Sequence, residues 1–508
     1  MCGFFLSDSD KLPNDLPNIL RKHLNFRGPD YQSELISLGR WTLYHARLSI
    51  IDLNSTSNQP IVNKNKSALL FNGEIFNFQS LAKKYFSKEY KSDVLLLNDL
   101  IIRNKLILSE LDGFFSFCFI DSNGNLKFCA RDRLGVKPLY YFNDSGNSTT
   151  LCSEPAVIAK IFSLPLNNKA LTEYRMFRYP LFTGAYHSGI RSVRPGSKNL
   201  KELFFDLERE FDNQEYKPAN ITDIELSITR SVKQRMMSDV PVGLLLSTGV
   251  DSNLIRLLGG PNNFFTGGLK TDYEYKTLKN QSIRNHKYNF APLSPSQFIE
   301  NHKRLVKLRC EPLSVPNEVY LNHIASFARE SGFKVLLSGE GADEFFAGYD
   351  RIFRAALSPQ FSLNQLFNLY RYECSETNEE LKEEFLQLFE IVSTLPLFEK
   401  VRWFFLKYHL PILFRRLDFS LMVAGVEGRE PLAAYPILKK ALTIAPYELV
   451  NDRLGKLPLR AILAQFESCT LSAYSSKLGF PVDIEKIYGI KEQSSYSTWF
   501  DKNLEYLL

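Results

Sequence analysis

Cysteine is scarce: 7 in 508 residues, scattered from Cys2 to Cys469 without C-x-x-C spacing. An odd, unpatterned set excludes a disulfide framework and a paired-cysteine zinc site, and it fits a reducing compartment. Long apolar runs are also missing. A membrane-spanning helix needs roughly 18 or more uninterrupted apolar residues. The most apolar stretch, Trp403 to Phe414, is broken by Lys407, His409 and Pro411. No basic segment followed by an apolar one opens the chain, so a cytoplasmic location is expected. Blocks of a single charge are absent too. The 62 basic and 56 acidic residues intersperse to a net charge of +6, which argues against nucleic acid as a partner and modestly for anionic small molecules.

An apolar fraction of 44% with 23% charged residues is that of an ordinary globular protein. The length exceeds what one hydrophobic core supports and predicts about two to four domains. The first 200 or so residues carry short apolar runs between turn residues. Ala68 to Phe71 precedes Asn72-Gly73, and Gly113 to Ile120 turns at 121–125 into Leu126 to Ala130. This is a hairpin-rich α+β pattern. Asp121-x-Asn-x-Asn opens like a calcium loop, yet Asp132 rather than glutamate stands at its twelfth position. A polar stretch, 208–220, suits a linker between units at 1–207 and 221–508. Beyond it, apolar residues at 224, 228, 232 and 236 predict a helix over Asp223 to Met237. The tail from Pro359 reads as mostly helical.

Two stretches point to chemistry in the second unit. Val242 to Leu246 is a run typical of a buried parallel strand, and it stops in Ser247-Thr248-Gly249-Val250-Asp251-Ser252 before a helix expected from about Ser252. In α/β sheets that strand-to-helix turn is where ligands sit. Hydroxyls and N–H groups of Ser247, Thr248, Gly249 and Ser252 suit a phosphate, leaving Asp251 for magnesium. A second apolar run, Lys334 to Leu337, ends likewise in Ser338-Gly339-Glu340-Gly341-Ala342-Asp343-Glu344.

At the other end, Cys2 directly follows Met1. With Met1 removed, thiol nucleophile and α-amine base share one residue, and the amine's ordinary pKa of about 7.7–8.0 suits it to take the thiol proton. Asn72 and Gly73 are candidates for an oxyanion hole. Arg47 is a candidate clamp for a substrate carboxylate, and Glu74 and Asp93 are candidates to receive an ammonium group.

Together these residues resemble the class II glutamine amidotransferases, and within them the glutamine-hydrolysing asparagine synthetases. The resemblance covers nearly the whole chain. In the first half it rests on Met1-Cys2-Gly3, Arg27-Gly28-Pro29-Asp30, His45-x-Arg47-Leu48-Ser49-Ile50-Ile51-Asp52, Asn72-Gly73-Glu74-Ile75-Phe76-Asn77, Ser92-Asp93 and Arg131-Asp132-Arg133-x-Gly135-x-Lys137-Pro138. In the second half it rests on the two loops above, Asp418-x-x-x-Met422, Glu427-x-Arg429-x-Pro431, Lys456-x-x-x-Arg460 and Lys477-Leu478-Gly479-Phe480. It implies an N-terminal-nucleophile αββα sandwich followed by a Rossmann-like ATP pyrophosphatase domain with a helical C-terminal part. By the same resemblance, Cys2 is the nucleophile, Asn72 and Gly73 form the oxyanion hole, and Arg47, Glu74 and Asp93 join them in binding glutamine. ATP falls to Leu246, Ser247, Thr248, Gly249, Asp251, Ser252, Ser338 and Gly339, with magnesium on Asp251 and Asp343. Glu340 is then an acid or base on the acceptor side, and Lys477 stabilises developing charge. Glutamine and a carboxylate acceptor are the expected substrates, and a homodimer the expected assembly.

Four positions depart from the family pattern. Thr248 replaces a glycine, which would cost on the order of 1–3 kcal/mol if the site demands positive φ. Cys310-Glu311-Pro312 stands for Asp-Glu-Pro, Ala433-Ala434 replaces the aspartate expected after Pro431, and Phe264 to Asn289 is short and divergent. Aspartate is the default acceptor. The departures keep open another carboxylate, such as a sugar uronate or a peptide side chain, and a glutaminase-only scaffold with an impaired ATP site.

Overall fold

The computed structural model describes every residue except Met1, 213–214, 281–286, 373–377, 467–472, 475–481 and 491–494. Eleven strands build the first unit: β1 Cys2–Ser7, β2 Tyr31–Gln32, β3 Ile36–Leu38, β4 Trp41–Arg47, β5 Ile61–Val62, β6 Ala68–Ile75, β7 Gly113–Ile120, β8 Leu126–Arg131, β9 Tyr140–Asn143, β10 Thr149–Cys152 and β11 Arg191–Ser192. They form two antiparallel sheets, one ordered β11-β9-β10-β1-β4-β2 with β3 also on β4, the other β5-β6-β7-β8.

Period-2 alternation explains the layering, because both faces of each inner strand are apolar. On β1, Phe4 and Leu6 face the second sheet, where they meet Leu70, Cys118 and Ile120. Phe5 faces the other way, against Leu16 and Leu20 of helix Leu16–His23 and Val157 and Ile158 of helix Pro155–Ile161. The outer face of the second sheet packs Phe71, Phe115 and Phe117 on helices Phe78–Phe86 and Asp93–Ile102. Each of these buried phenylalanines is worth about 1.5–3 kcal/mol relative to exposure. The result is the expected αββα sandwich. The Asp121 carboxylate accepts the amides of Asn123 and Asn125 and closes the β7–β8 hairpin, a turn role rather than a metal one.

The second unit holds five parallel strands, β12 Val242–Leu245, β13 Asn263–Gly268, β14 Lys287–Pro292, β15 Val335–Leu337 and β16 Glu427–Arg429, ordered β14-β13-β12-β15-β16. Alternate residues serve opposite faces. Leu244, Phe264 and Leu337 meet the helices Ile221–Arg235 and Val250–Leu257. Leu336 and Phe265 meet the helices Asn317–Glu330 and Leu410–Met422. Helix Ile221–Arg235 starts where Asn220 accepts the Asp223 amide at 3.0 Å, and Ile224, Ile228 and Val232 are its buried stripe. Residues 207–212 within the polar stretch form a short helix that buries Phe211 in the same core. The remaining C-terminal elements are helical.

Strand order fixes where ligands bind. From β12 the chain moves outward to β13 and β14, then returns to β12's other side for β15 and β16. The reversal lies between β12 and β15, so a crevice opens at their C-terminal ends. Residues 246–252 and 338–344 are the loops that line it.

Candidate active sites

In the first unit, Cys2 at the start of β1 pairs with Arg47 at the end of β4. The facing sheet contributes β6, where the Cys2 backbone nitrogen donates to Asn72 Oδ1 at 3.0 Å. Asn72 is fully buried, and its Nδ2 has no hydrogen-bond partner. An orphaned buried amide costs about 1–3 kcal/mol, which an acceptor placed beside it would recover. Asn72 and Gly73 lie inside β6, three and two residues before its end, rather than in the turn that the sequence suggests. Gly73 has φ 141°, and a Cβ there would lie 2.0 Å from the Phe114 carbonyl oxygen, so only glycine fits.

Glu74 and Asp93 are brought together beside Cys2. Asp93 begins helix Asp93–Ile102 and accepts the amides of Ile75 at 3.0 Å and Val94 at 2.8 Å. Burial raises the pKa of both carboxyls, and each is further shaped by the other. Burial also raises the Cys2 thiol, while the positive chain start and Arg47 pull it down.

Arg47 differs from expectation. Its guanidinium donates to the Asn54 carbonyl and Asn58 Oδ1, both at 2.8 Å, and to the carbonyls of Ile51 and Asp52. In this state it holds the 51–58 loop against the nucleophile's strand.

In the second unit the paired loops converge. The Ser247 amide and hydroxyl contact Ser252 Oγ at 3.1 and 2.9 Å, and the Leu246 amide continues the sheet to the Phe265 carbonyl. The Ser338 amide donates to the Arg429 carbonyl at 2.8 Å. Asp251 and Asp343 meet on one cation, as Lys456 Nζ lies 2.6 Å from Asp251 Oδ2 and 2.7 Å from Asp343 Oδ1. Gly348 makes room for this contact: a Cβ there would sit 2.0 Å from Asp343 Oδ1 and 2.2 Å from Lys456 Cε. Glu340 is held at 2.9 Å by Arg416.

Thr248 is not one of the chain's positive-φ positions, so the strain expected of a β-branched residue there does not arise. Its amide donates to Glu274 Oε1 at 2.9 Å. Next to Asp343, a buried polar chain runs from Tyr370 to His409 Nδ1, from His409 Nε2 to Tyr349, and from Tyr349 to Glu344 Oε1, at 2.9, 2.9 and 2.5 Å. Burial and Asp343 push the Glu344 carboxyl up to about 8.

The two sites are tied through buried charges. Arg27 donates to the Cys2 carbonyl at 2.9 Å and, with its other arm, to Glu154 and to Asp418 of helix Leu410–Met422. Arg429 on β16 reaches within 3.5 Å of Glu74 while pairing with Glu427 at 2.5 Å. One arginine therefore touches the first site with its side chain and the second with its carbonyl.

Residues 223–500, more than half of the chain, match the family described as Asparagine synthase. The chain belongs to the asparagine synthase family. Residues 1–206 match the Glutamine amidotransferase domain. Among individual relatives, asparagine synthetase (glutamine-hydrolysing) 1 of Bacillus subtilis is 28% identical over 396 residues, covering 70% of this chain and 60% of that protein. A probable asparagine synthetase of Acanthamoeba polyphaga mimivirus is 29% identical, covering 70% and 68%. Asparagine synthetase B of Escherichia coli is 27% identical, covering 71% and 66%. The match thus spans less than two thirds of the Bacillus relative's length.

Ala433, where the resemblance leads us to expect an aspartate, lies beside Gly341 of the crevice loop. Cys310 lies elsewhere, at the end of helix Pro295–Arg309. Lys477 lies outside the described residues. Sequence reasoning missed Lys456, Arg429 and Arg27 as parts of the sites, although each stands inside a quoted motif. Glu274 and the Tyr370–His409–Tyr349–Glu344 chain gave no signal, since their contacts join segments far apart in sequence.

Proposed function

We propose that the protein is a glutamine-dependent, ATP-dependent, AMP-forming amidotransferase with aspartate as acceptor and asparagine as product. The observation that carries this reading is the buried Asn72 amide, with Oδ1 on the Cys2 nitrogen and Nδ2 without a partner. Removal of Met1 turns that nitrogen into the α-amine, and Asn72 then holds the base and faces the nucleophile at once.

The Cys2 sulfur attacks the glutamine side-chain amide carbon. Negative charge on the oxygen goes to Asn72 Nδ2 and the Gly73 N–H. The thiol proton passes through the α-amine to the departing nitrogen, which leaves as ammonia, and water then splits the γ-glutamyl thioester to glutamate. Glu74 and Asp93 receive the substrate's ammonium group. Arg47 binds its carboxylate by exchanging loop carbonyls for it.

Ammonia then crosses the junction to the crevice, where the acceptor carboxylate has been activated as an acyl adenylate. Leu246, Ser247, Thr248, Gly249, Ser252, Ser338 and Gly339 line the place for ATP. Asp251 and Asp343 would hold magnesium, which neutralises phosphate charge when bound. Two converging carboxylates fit that ion, because magnesium keeps several waters and takes further ligands from phosphate. Among the described residues no group of three or more His, Cys, Asp or Glu forms a closed metal cage. Glu340 acts as acid or base on the acceptor. The role of Lys477 rests on the resemblance alone.

Full-length protein is incubated with ATP, magnesium, aspartate and glutamine labelled at the amide nitrogen. Labelled asparagine and AMP in equal amounts are expected, and neither from Cys2→Ala; with ammonia supplied, that variant is expected to give AMP and unlabelled asparagine. Release of AMP with no labelled asparagine refutes aspartate as acceptor. Ala433 beside Gly341 favours a second reading on that point, another carboxylate acceptor lacking aspartate's ammonium group. The same assay with a panel of acids decides it.

A further inference from the structure

A cavity of about 590 Å3 opens where the two units meet, away from both sites. Lys22 of helix Leu16–His23 and Lys160 of helix Pro155–Ile161 line it from the first unit. Lys303 and Lys307, one turn apart on helix Pro295–Arg309, line it from the second. Among the described residues, none of these four ammonium groups has a carboxylate within 4.0 Å. The one acidic side chain on the wall, Glu505, is taken up by Lys502 at 2.6 Å.

Deeper in the cavity lies His187, 7% exposed, whose Nδ1 is buried and has no hydrogen-bond partner. The floor beside it includes Cys310, a neutral thiol at the position where the family pattern carries aspartate. Burial and Glu311 raise the Cys310 thiol, while Lys160 and Lys22 pull it the other way, so both lysines are felt at Cys310. Four exposed cations, none within 4.0 Å of a carboxylate among the described residues, ring one concavity that also holds a buried imidazole nitrogen without a hydrogen-bond partner. Self-repulsion among them is relieved only by anions.

The size narrows the class of ligand. A volume near 600 Å3 is that of a small-molecule site, too small for a folded partner or a nucleic-acid duplex. The four cations stand on three helices of two units, more positive charge than one phosphate neutralises. We propose that this cavity binds a phosphorylated small molecule carrying at least two phosphate groups, spread over Lys22, Lys160, Lys303 and Lys307, with His187 meeting a further polar group. Such a ligand bridges the two units. Glu311, next to Cys310, belongs to the buried set that leads through Arg415 and Glu154 to Arg27 and the Cys2 carbonyl. Occupancy at the junction therefore bears on a network that ends at the nucleophile.

The test is lysine acetylation of the full-length protein, mapped by mass spectrometry, with inorganic tripolyphosphate or inorganic phosphate as the probe. Tripolyphosphate is expected to slow acetylation of Lys22, Lys160, Lys303 and Lys307 about fivefold or more, and increasingly so at low salt. Inorganic phosphate at equal concentration is expected to protect little. In Lys303→Glu/Lys307→Glu, exposed substitutions checked for an unchanged melting temperature, protection of Lys22 and Lys160 should vanish. Lys22→Glu/Lys160→Glu provides the reciprocal test at Lys303 and Lys307. Uniform protection of lysines over the whole surface, or retained protection in both variants, overturns the site. Equal protection by inorganic phosphate overturns the requirement for two phosphates.

Discussion

Removing the cation shared by Asp251 and Asp343 isolates the logic of the crevice. In Lys456→Met the chain keeps its packing volume but loses the ammonium that both carboxylates contact. Their oxygens sit on one nitrogen at 2.6 and 2.7 Å, so they lie about 5 Å apart or less. Two like charges at that distance repel by about 3 kcal/mol at an effective dielectric constant near 20. Asp251 and Asp343 are only 15% and 13% exposed, so solvent screens little of this. Breaking a buried pair by deleting one partner costs about 3–5 kcal/mol in other proteins, which agrees. We expect the melting transition of the second unit to fall by several degrees in a metal-free buffer. Millimolar magnesium should restore most of the loss in Lys456→Met, because the vacated position then suits a divalent cation, and should change the parent protein much less. Differential scanning fluorimetry with and without chelator reads both effects. If Lys456→Met melts like the parent, or if magnesium leaves its melting temperature unmoved, the shared-carboxylate account of the metal is wrong.

Three further outcomes follow from named contacts. Asn72→Ala should lower glutaminase kcat by about 10²–10³, as loss of one oxyanion donor does elsewhere, with ammonia-dependent turnover kept; a loss of only a few-fold would falsify its assignment. Burial raises both the Glu74 and Asp93 carboxyls, and the neighbouring Asp93 raises Glu74 further while a hydrogen bond from Glu74 lowers Asp93, so an arriving ammonium group favours proton loss from the pair. Glutamine binding to Cys2→Ala should therefore release protons below the raised pKa and tighten as pH rises toward it. Calorimetry in two buffers of different ionisation heat measures this, and equal heats would count against it. Glu274→Gln should strengthen ATP binding about tenfold, or 1.4 kcal/mol, because the Glu274 carboxylate takes the Thr248 amide and its charge opposes a phosphate there; unchanged affinity means that the contact does not compete.

The hairpin-rich first unit and the strand-and-loop units of the parallel sheet were legible in residue order, because short apolar runs and loop chemistry are local properties; the sandwich followed from the family resemblance. The apolar runs Gly113 to Ile120 and Leu126 to Ala130 around a turn named a hairpin, and the Ser247-to-Ser252 and Ser338-to-Glu344 loops named the crevice. What residue order could not carry was the partner of each charge. Arg47 reads as a substrate clamp, and residue order gave no sign that the 51–58 loop occupies its fork here. Thr248 reads as a strained phosphate contact until its φ is known. Lys456 and Arg429 read as motif members, yet one joins two carboxylates from separate loops and the other spans both sites. Electrostatic contacts act over a few ångströms in space while their owners stand up to hundreds of residues apart, as Arg27 and Asp418 do. The sequence alone determined which groups are present and what chemistry they suit; the tertiary structure decided which of them share a proton, a cation or a buried wall.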